Sequence, residues 1–169
     1  MGLEPLLRAE GPWLYPFVAT ETAAWEFLVS LSARESPRMV ARRVRGNKAR
    51  TVPDWFDECS AALQFPYYFG ENWNAFDECL TDLEWLPADA YVLLITNSQH
   101  LLEAETPEDK KTLFRILDRT GQEWGQRVSG EFSRPPKPFH VLFQCERAEE
   151  PSLCQVLDGS KVGWSPFVL

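Results

Sequence analysis

Apolar positions along the chain change period several times, and each change predicts an element. Met39–Arg45 alternates, with Val40, Arg42 and Val44 on one face and Ala41, Arg43 and Arg45 on the other. A period of two predicts a short strand, and Gly46-Asn47 follows it as a turn. Beyond Pro53 the period lengthens. Trp55, Phe56, Cys59 and Leu63 form the stripe of a helix over 53–63, with Pro53 in its first turn and Asp54 and Asp57 near its positive end. Phe65-Pro66 ends it. An aromatic loop at 67–70 follows, and Asn72 is an N-cap for a second helix over about 73–83. Residues 91–96, Tyr-Val-Leu-Leu-Ile-Thr, are apolar almost throughout and too few for a helix. They predict a strand buried on both faces. Thr106-Pro107-Glu108-Asp109 opens a helix over 107–120 with Leu113, Phe114, Ile116 and Leu117 as its core face, ending before Gly121 or Gly125. The glycine and prolines of 126–138 mark a loop, and 139–145 is a third strand. The order β-α-α-β-α-β predicts an α/β fold, a small parallel sheet with helices packed on it.

The flanks are less regular. Residues 1–38 carry Trp13, Tyr15, Phe17, Trp25 and Phe27, with a strand expected near 12–19 and a short helix or strand near 22–31. Residues 146–152 look like a polar connector and 163–169 like a short aromatic tail. Three units are expected: an extension over 1–38, a domain over 39–145 and a second extension over 146–169. Both extensions are too apolar to be free tails. They are expected to pack back on the domain, pairing with each other or with an edge of the sheet.

Composition narrows the possibilities. A chain of 169 residues buries a core without disulfides or a metal. No apolar run approaches the ~18–20 residues of a membrane span, and the first residues do not resemble a signal peptide. Cys59, Cys79, Cys145 and Cys154 are far apart, which argues against a zinc knuckle and for a reduced, cytoplasmic protein. The net charge of -8 is uneven: eight bases against five acids over 1–50, one against thirteen over 51–110, and eight against seven over 111–169. An acidic middle repels phosphate, so direct contact with nucleic acid or an anionic membrane is disfavoured and a basic partner is attracted.

Reactive sets are missing. His140 lies inside a strand and is expected to be structural, while His100, beside Glu103 and Glu105, has no second His or Cys near it to complete a metal site. Phosphate-loop, dinucleotide and nucleophile-elbow glycine motifs do not occur. Cys79 lies among acids, which disfavour a thiolate. No catalytic residue, metal or cofactor is expected.

Segment 65–86 is the informative one. On a helix after Asn72, one face is Ala75, Phe76, Cys79, Leu80 and Leu83, and the other is Asn74, Asp77, Glu78, Thr81 and Asp82. Clustered acids repel one another, and late-helix acids oppose the macrodipole. No cation in the segment relieves them. Beside them stand Tyr67, Tyr68, Phe69 and Trp73. A solvated acidic face with one or two rings in the core would account for part of this. Aromatics beside charge are also what interface anchors look like.

These residues resemble a family. Phe-Pro-Tyr-Tyr-Phe-Gly-Glu-Asn-Trp-Asn-Ala-Phe-Asp-Glu-Cys-Leu-Thr over 65–81 is similar to the signature of the barstar family of ribonuclease inhibitors. Pro66, Tyr68, Gly70-Glu71-Asn72, Ala75 and Cys79-Leu80-Thr81 carry most of the likeness, which extends over about 39–145. The resemblance implies a three-stranded parallel sheet with about three to four helices. It also implies a cytoplasmic protein that plugs a basic secreted or toxin ribonuclease, one-to-one, with an acidic helix and loop. Partner-binding residues are then Tyr68, Phe69, Trp73, Asn74, Asp77, Glu78, Thr81 and Asp82. Tyr68 holds the family's contact tyrosine, Glu78 its central carboxylate and Thr81 its threonine. Asn74 stands where the family has Asp, Asp77 where it has Trp, Asp82 where it has Gly and Leu83 where it has Trp, with Trp85 a candidate to replace that ring. A later-helix Glu of the family falls near Asp118 or Arg119. The rival expectations are a non-inhibitory interaction module on the same fold and, more remotely, an enzyme using His100.

Overall fold

The computed structural model describes residues 2–130 and 133–169. Its strands are β1 (Leu14–Val18), β2 (Met39–Arg45), β3 (Ala90–Thr96) and β4 (Phe139–Cys145), and its helices are α1 (Glu21–Ser32), α2 (Val52–Leu63), α3 (Trp73–Asp82), α4 (Pro107–Trp124) and α5 (Glu150–Ser160). All strands run parallel, in the order β1-β4-β3-β2. The sheet therefore has four strands rather than the three that the resemblance implies. The extra one is the 12–19 segment, docked beside β4 with Leu14 opposite Val141 and Val18 opposite Cys145.

Alternation along β3 divides the protein into two cores. Tyr91, Leu93 and Ile95 face α2, α3, α4 and α5, among Trp55, Phe76, Phe114, Phe143 and Leu157. Val92 and Leu94 face the other way, with Leu142, and are covered by α1, Tyr15, Phe17, Leu6 and Phe167. That two-sided demand is why all seven β3 positions are buried. Thr51 and Thr106 close capping boxes at the starts of α2 and α4, with Pro in the first turn of each.

Residues 22–31 are helical. Thr20 caps α1, and Ala24, Leu28 and Leu31 are its buried stripe. The polar connector over 146–152 gives way to α5 at Glu150, whose Leu153 and Leu157 complete the first core. Residues 131 and 132 of the expected 126–138 loop lie outside the described residues. Helix α4 continues through Gly121 to Trp124 because Trp13 lies against it there. A Cβ at Gly121 would come within 2.3 Å of Trp13 Cγ, and one at Gly125 within 2.6 Å of the far side of its indole. The tail pairs with β1: Phe167 N donates to Pro16 O at 2.8 Å and Ser165 N to Leu14 O at 3.3 Å. The two ends thus pair with each other and lengthen the sheet. Trp13 is buried and Trp164 half-buried.

Candidate protein-binding surface

Two backbone reversals build the surface. Gln64, in the left-handed region at φ 54°, ends α2, and Asn72 starts α3 by accepting from Ala75 N at 3.0 Å. The Asn72 amide also donates to Gly70 O at 3.0 Å, pinning the loop to the helix it caps. Between these points the aromatics sort by direction. Phe69 stacks edge-on against Phe65 at 5.0 Å and Phe56 at 5.7 Å, and Trp73 against Phe56 at 5.1 Å. Both expected contact rings are therefore half-buried and spent largely on the core. Tyr67 and Tyr68 project outward, with Tyr68 64% exposed.

Along α3, Phe76, Cys79 and Leu80 are buried, and Asn74, Glu78 and Asp82 are exposed. Glu78 and Asp82 form no ion pair with any described residue. Thr81 turns its hydroxyl inward, donating to Asp77 O at 3.0 Å. Asp77 is the exception among the acids. Arg119 of α4 makes an ion pair with it, and the pairing holds the guanidinium above its ordinary pKa. Sequence neighbours supply no cation, but the fold brings one across from α4. Of the two later-helix candidates, Arg119 reaches the surface. Asp118 instead accepts from the Gln122 amide, and burial raises its pKa.

Tyr68, Phe69, Ala75, Glu78, Cys79, Asp82 and Trp85 line one cleft of about 140 Å³. Trp85 forms its far wall, anchored by donation from Nε1 to Leu63 O at 3.0 Å. It thus stands in the cleft with Tyr68. Desolvation first, and then the charge of Asp82, push the Tyr68 phenol above its ordinary pKa. Cys79 is shifted the same way by burial, Asp82 and Glu78. The cleft is apolar at its base and negative at its rim, suited to a partner's cations carried on apolar stems.

Elsewhere, His100 pairs with Glu103 at 3.0 Å and Glu103 also with Arg50 at 2.5 Å. The described residues contain no group of three or more His, Cys, Asp or Glu placed to hold a metal. Among them no helix is long and apolar enough to cross a membrane. All four cysteines are free, and burial raises the Cys145 thiol to about 11.

No curated protein matches the chain. Two solved structures resemble it in fold. One is the structure of Drosophila ORC bound to GC-rich DNA and Cdc6, at 16% identity and TM-score 0.51, covering 94% of this chain and 50% of that one. The other is Drosophila ORC bound to AT-rich DNA and Cdc6, at 15% and 0.50, covering 94% and 49%. This chain thus spans about half the length of those chains, and at such identity the likeness is one of fold alone. Residues 39–144, which contain the cleft, α3 and three of the four strands, match the family model described as Barstar (barnase inhibitor), and the chain belongs to that family.

Proposed function

We propose that the chain is a cytoplasmic inhibitor or immunity protein that binds a basic nuclease of the ribonuclease type, one-to-one. It occludes the active site with α3 and the 67–72 loop and catalyses nothing itself. One observation carries this reading: Glu78 and Asp82, without an ion pair among the described residues, stand at the rim of a cleft lined by Tyr68 and Trp85. A ribonuclease site is lined with cations for phosphate, and carboxylates on a rigid helix make the same charge-assisted hydrogen bonds. Capture of partners from the native cell, followed by a nuclease assay with and without this protein, tests it. Captured partners that are not nucleases, or a nuclease left fully active, refute it.

Two outcomes follow for the captured nuclease. Glu78→Ala should weaken binding by ~2 kcal/mol, about 30-fold, because it strips the central carboxylate from a desolvated contact. Asp77→Ala should cost less, since Arg119 already occupies that carboxylate. Calorimetry giving equal affinities for wild type and Glu78→Ala removes Glu78 from the contact. The acidic block should also steer encounter, so the association rate should drop steeply as salt rises while dissociation changes little. Stopped flow showing a flat association rate contradicts steering.

A second reading, a non-inhibitory interaction module, is favoured by one feature. Asn74 stands where the family has a carboxylate, and Arg119 neutralises the Asp77 that stands where the family has a ring. Such a module would capture a partner without nuclease activity.

A further inference from the structure

Open α/β sheets usually bind small ligands at the carboxyl ends of their strands, and here that end is hollow. A cavity of about 240 Å³ opens beyond β3 and β4, walled by the turn at Ser98–His100, by α4 and by the start of α5. It is separate from the acidic cleft. Trp85 and Leu86 precede β3 and lie by the amino ends of the strands, where the Tyr91 hydroxyl donates to Leu86 O.

Polar groups on this cavity are unsatisfied. Ser98 is 5% exposed, and its hydroxyl has no hydrogen-bond partner among the described residues. Gln99 Oε1 and Glu149 Oε2 are buried in the same condition. Three buried oxygens without donors on one cavity are a departure from normal packing, in which such groups are paired. Lys110 lines the same space, and burial holds its ammonium below the ordinary lysine pKa. Neither Lys110 nor Glu149 forms an ion pair with the other or with any described residue. Phe114, Leu153 and Val156 give the cavity an apolar wall, with Ser152 beside them.

A lone metal cation would satisfy Glu149 but leave Lys110 and the apolar wall unused. A simple anion would satisfy Lys110 but leave Glu149 and the apolar wall unused. A ligand with both charges and an apolar body uses all of them. The volume, below the ~300–1,000 Å³ of drug-sized sites, selects a small molecule. We propose that this cavity binds a free α-amino acid with an apolar side chain. Its ammonium donates to Glu149, Gln99 and Ser98, its carboxylate accepts from Lys110, and its side chain lies on Phe114, Leu153 and Val156.

Proton–nitrogen correlation spectra of the full chain test this by titration with L-leucine, L-methionine and L-phenylalanine. Saturable shifts are expected at Ser98, Gln99, Lys110 and residues 148–153. Leucinamide, lacking the carboxylate, and isocaproate, lacking the ammonium, should each bind wild type at least about tenfold more weakly than L-leucine. Glu149→Gln and Lys110→Met, with native spectra, should weaken L-leucine by a similar factor. No saturable shift with any of the three amino acids overturns the site. Equal binding of L-leucine and leucinamide, or full affinity in a natively folded Glu149→Gln variant, overturns the zwitterion assignment.

Discussion

Cut to residues 39–145, the chain should lose its native fold, although that segment holds the whole family match. What it lacks is a cover for one side of the sheet. Met39, Ala41, Val92, Leu94 and Leu142 are buried by α1, by Leu6, Tyr15 and Phe17 from the first extension, and by Phe167 from the tail. Removing Leu6, Trp13, Leu14, Tyr15, Phe17, Leu28, Leu31 and Phe167 takes away side chains whose burial is worth about 1.5–3 kcal/mol each for an aliphatic or Phe side chain. Their sum rivals the whole ~5–15 kcal/mol stability of a typical domain. The cut also strips β4 of the partner that pairs with it from Val141 to Cys145, leaving a long, flat, apolar edge of the kind that aggregates. The truncated chain should therefore bind a hydrophobic dye, lose cooperative thermal unfolding and precipitate. Tyr68 and Glu78 remain in its sequence, so any loss of partner binding would report the fold and not the contact. A soluble fragment that melts cooperatively at the full chain's midpoint would show instead that the two extensions are dispensable.

That dependence on the extensions marks the limit of what the sequence reveals. Elements whose evidence is local were legible. The alternation of Met39–Arg45, the apolar run of β3 and the capping residue and proline that open α4 at Thr106 each state their own structure. Helix α1 was ambiguous because Trp25 and Val29, which blur its stripe, are exposed in the fold at 45% and 47%. Strand β1 contains Pro16, and its ladder partner comes more than a hundred residues later, so nothing local announces that it completes the sheet. The site divides in the same way. Helical period alone put Glu78 and Asp82 on the solvent face. It did not show that Phe69 and Trp73 turn inward, because their direction is set by stacking on Phe56 and Phe65 across two elements. The Asp77–Arg119 pair joins α3 to α4, and only the packed helices reveal it. The orphaned oxygens lie on two segments, Ser98 and Gln99 after β3 and Glu149 after β4, and become a cluster only when β3 and β4 are side by side.

Acid should loosen the seam between the first extension and the sheet, and His140 is the reason. Its ring is fully buried in β4, stacked on Trp13 at 5.3 Å and edge-on to Tyr15 at 5.6 Å. Nε2 donates to Arg8 O at 2.8 Å, whereas Nδ1 has no hydrogen-bond partner among the described residues, so the neutral tautomer is held with its one proton toward the extension. Burial lowers the pKa from 6.5 to about 4, with the carbonyls of Arg8 and Pro12 pulling weakly the other way. As pH falls through 6.5, the unfolded chain takes up a proton that the folded chain refuses until about 4. Within that window the unfolded state binds more protons, so stability decreases as pH falls, and the loss is complete below the folded value. A shift of this size corresponds to ~3 kcal/mol. Carboxylates such as Glu58, whose pKa its partner Arg45 lowers despite partial burial, add an acid loss of their own below their unfolded pKa. The test is therefore a difference. Urea unfolding of wild type and His140→Gln, whose amide can still donate to Arg8 O, should be compared from pH 7.5 to 4. Wild type should lose ~3 kcal/mol more than the variant across that range, nearly all of it below pH 6.5. A difference between the two proteins that stays constant with pH would mean that the ring takes up its proton at the same pH folded and unfolded, so that burial does not hold it neutral.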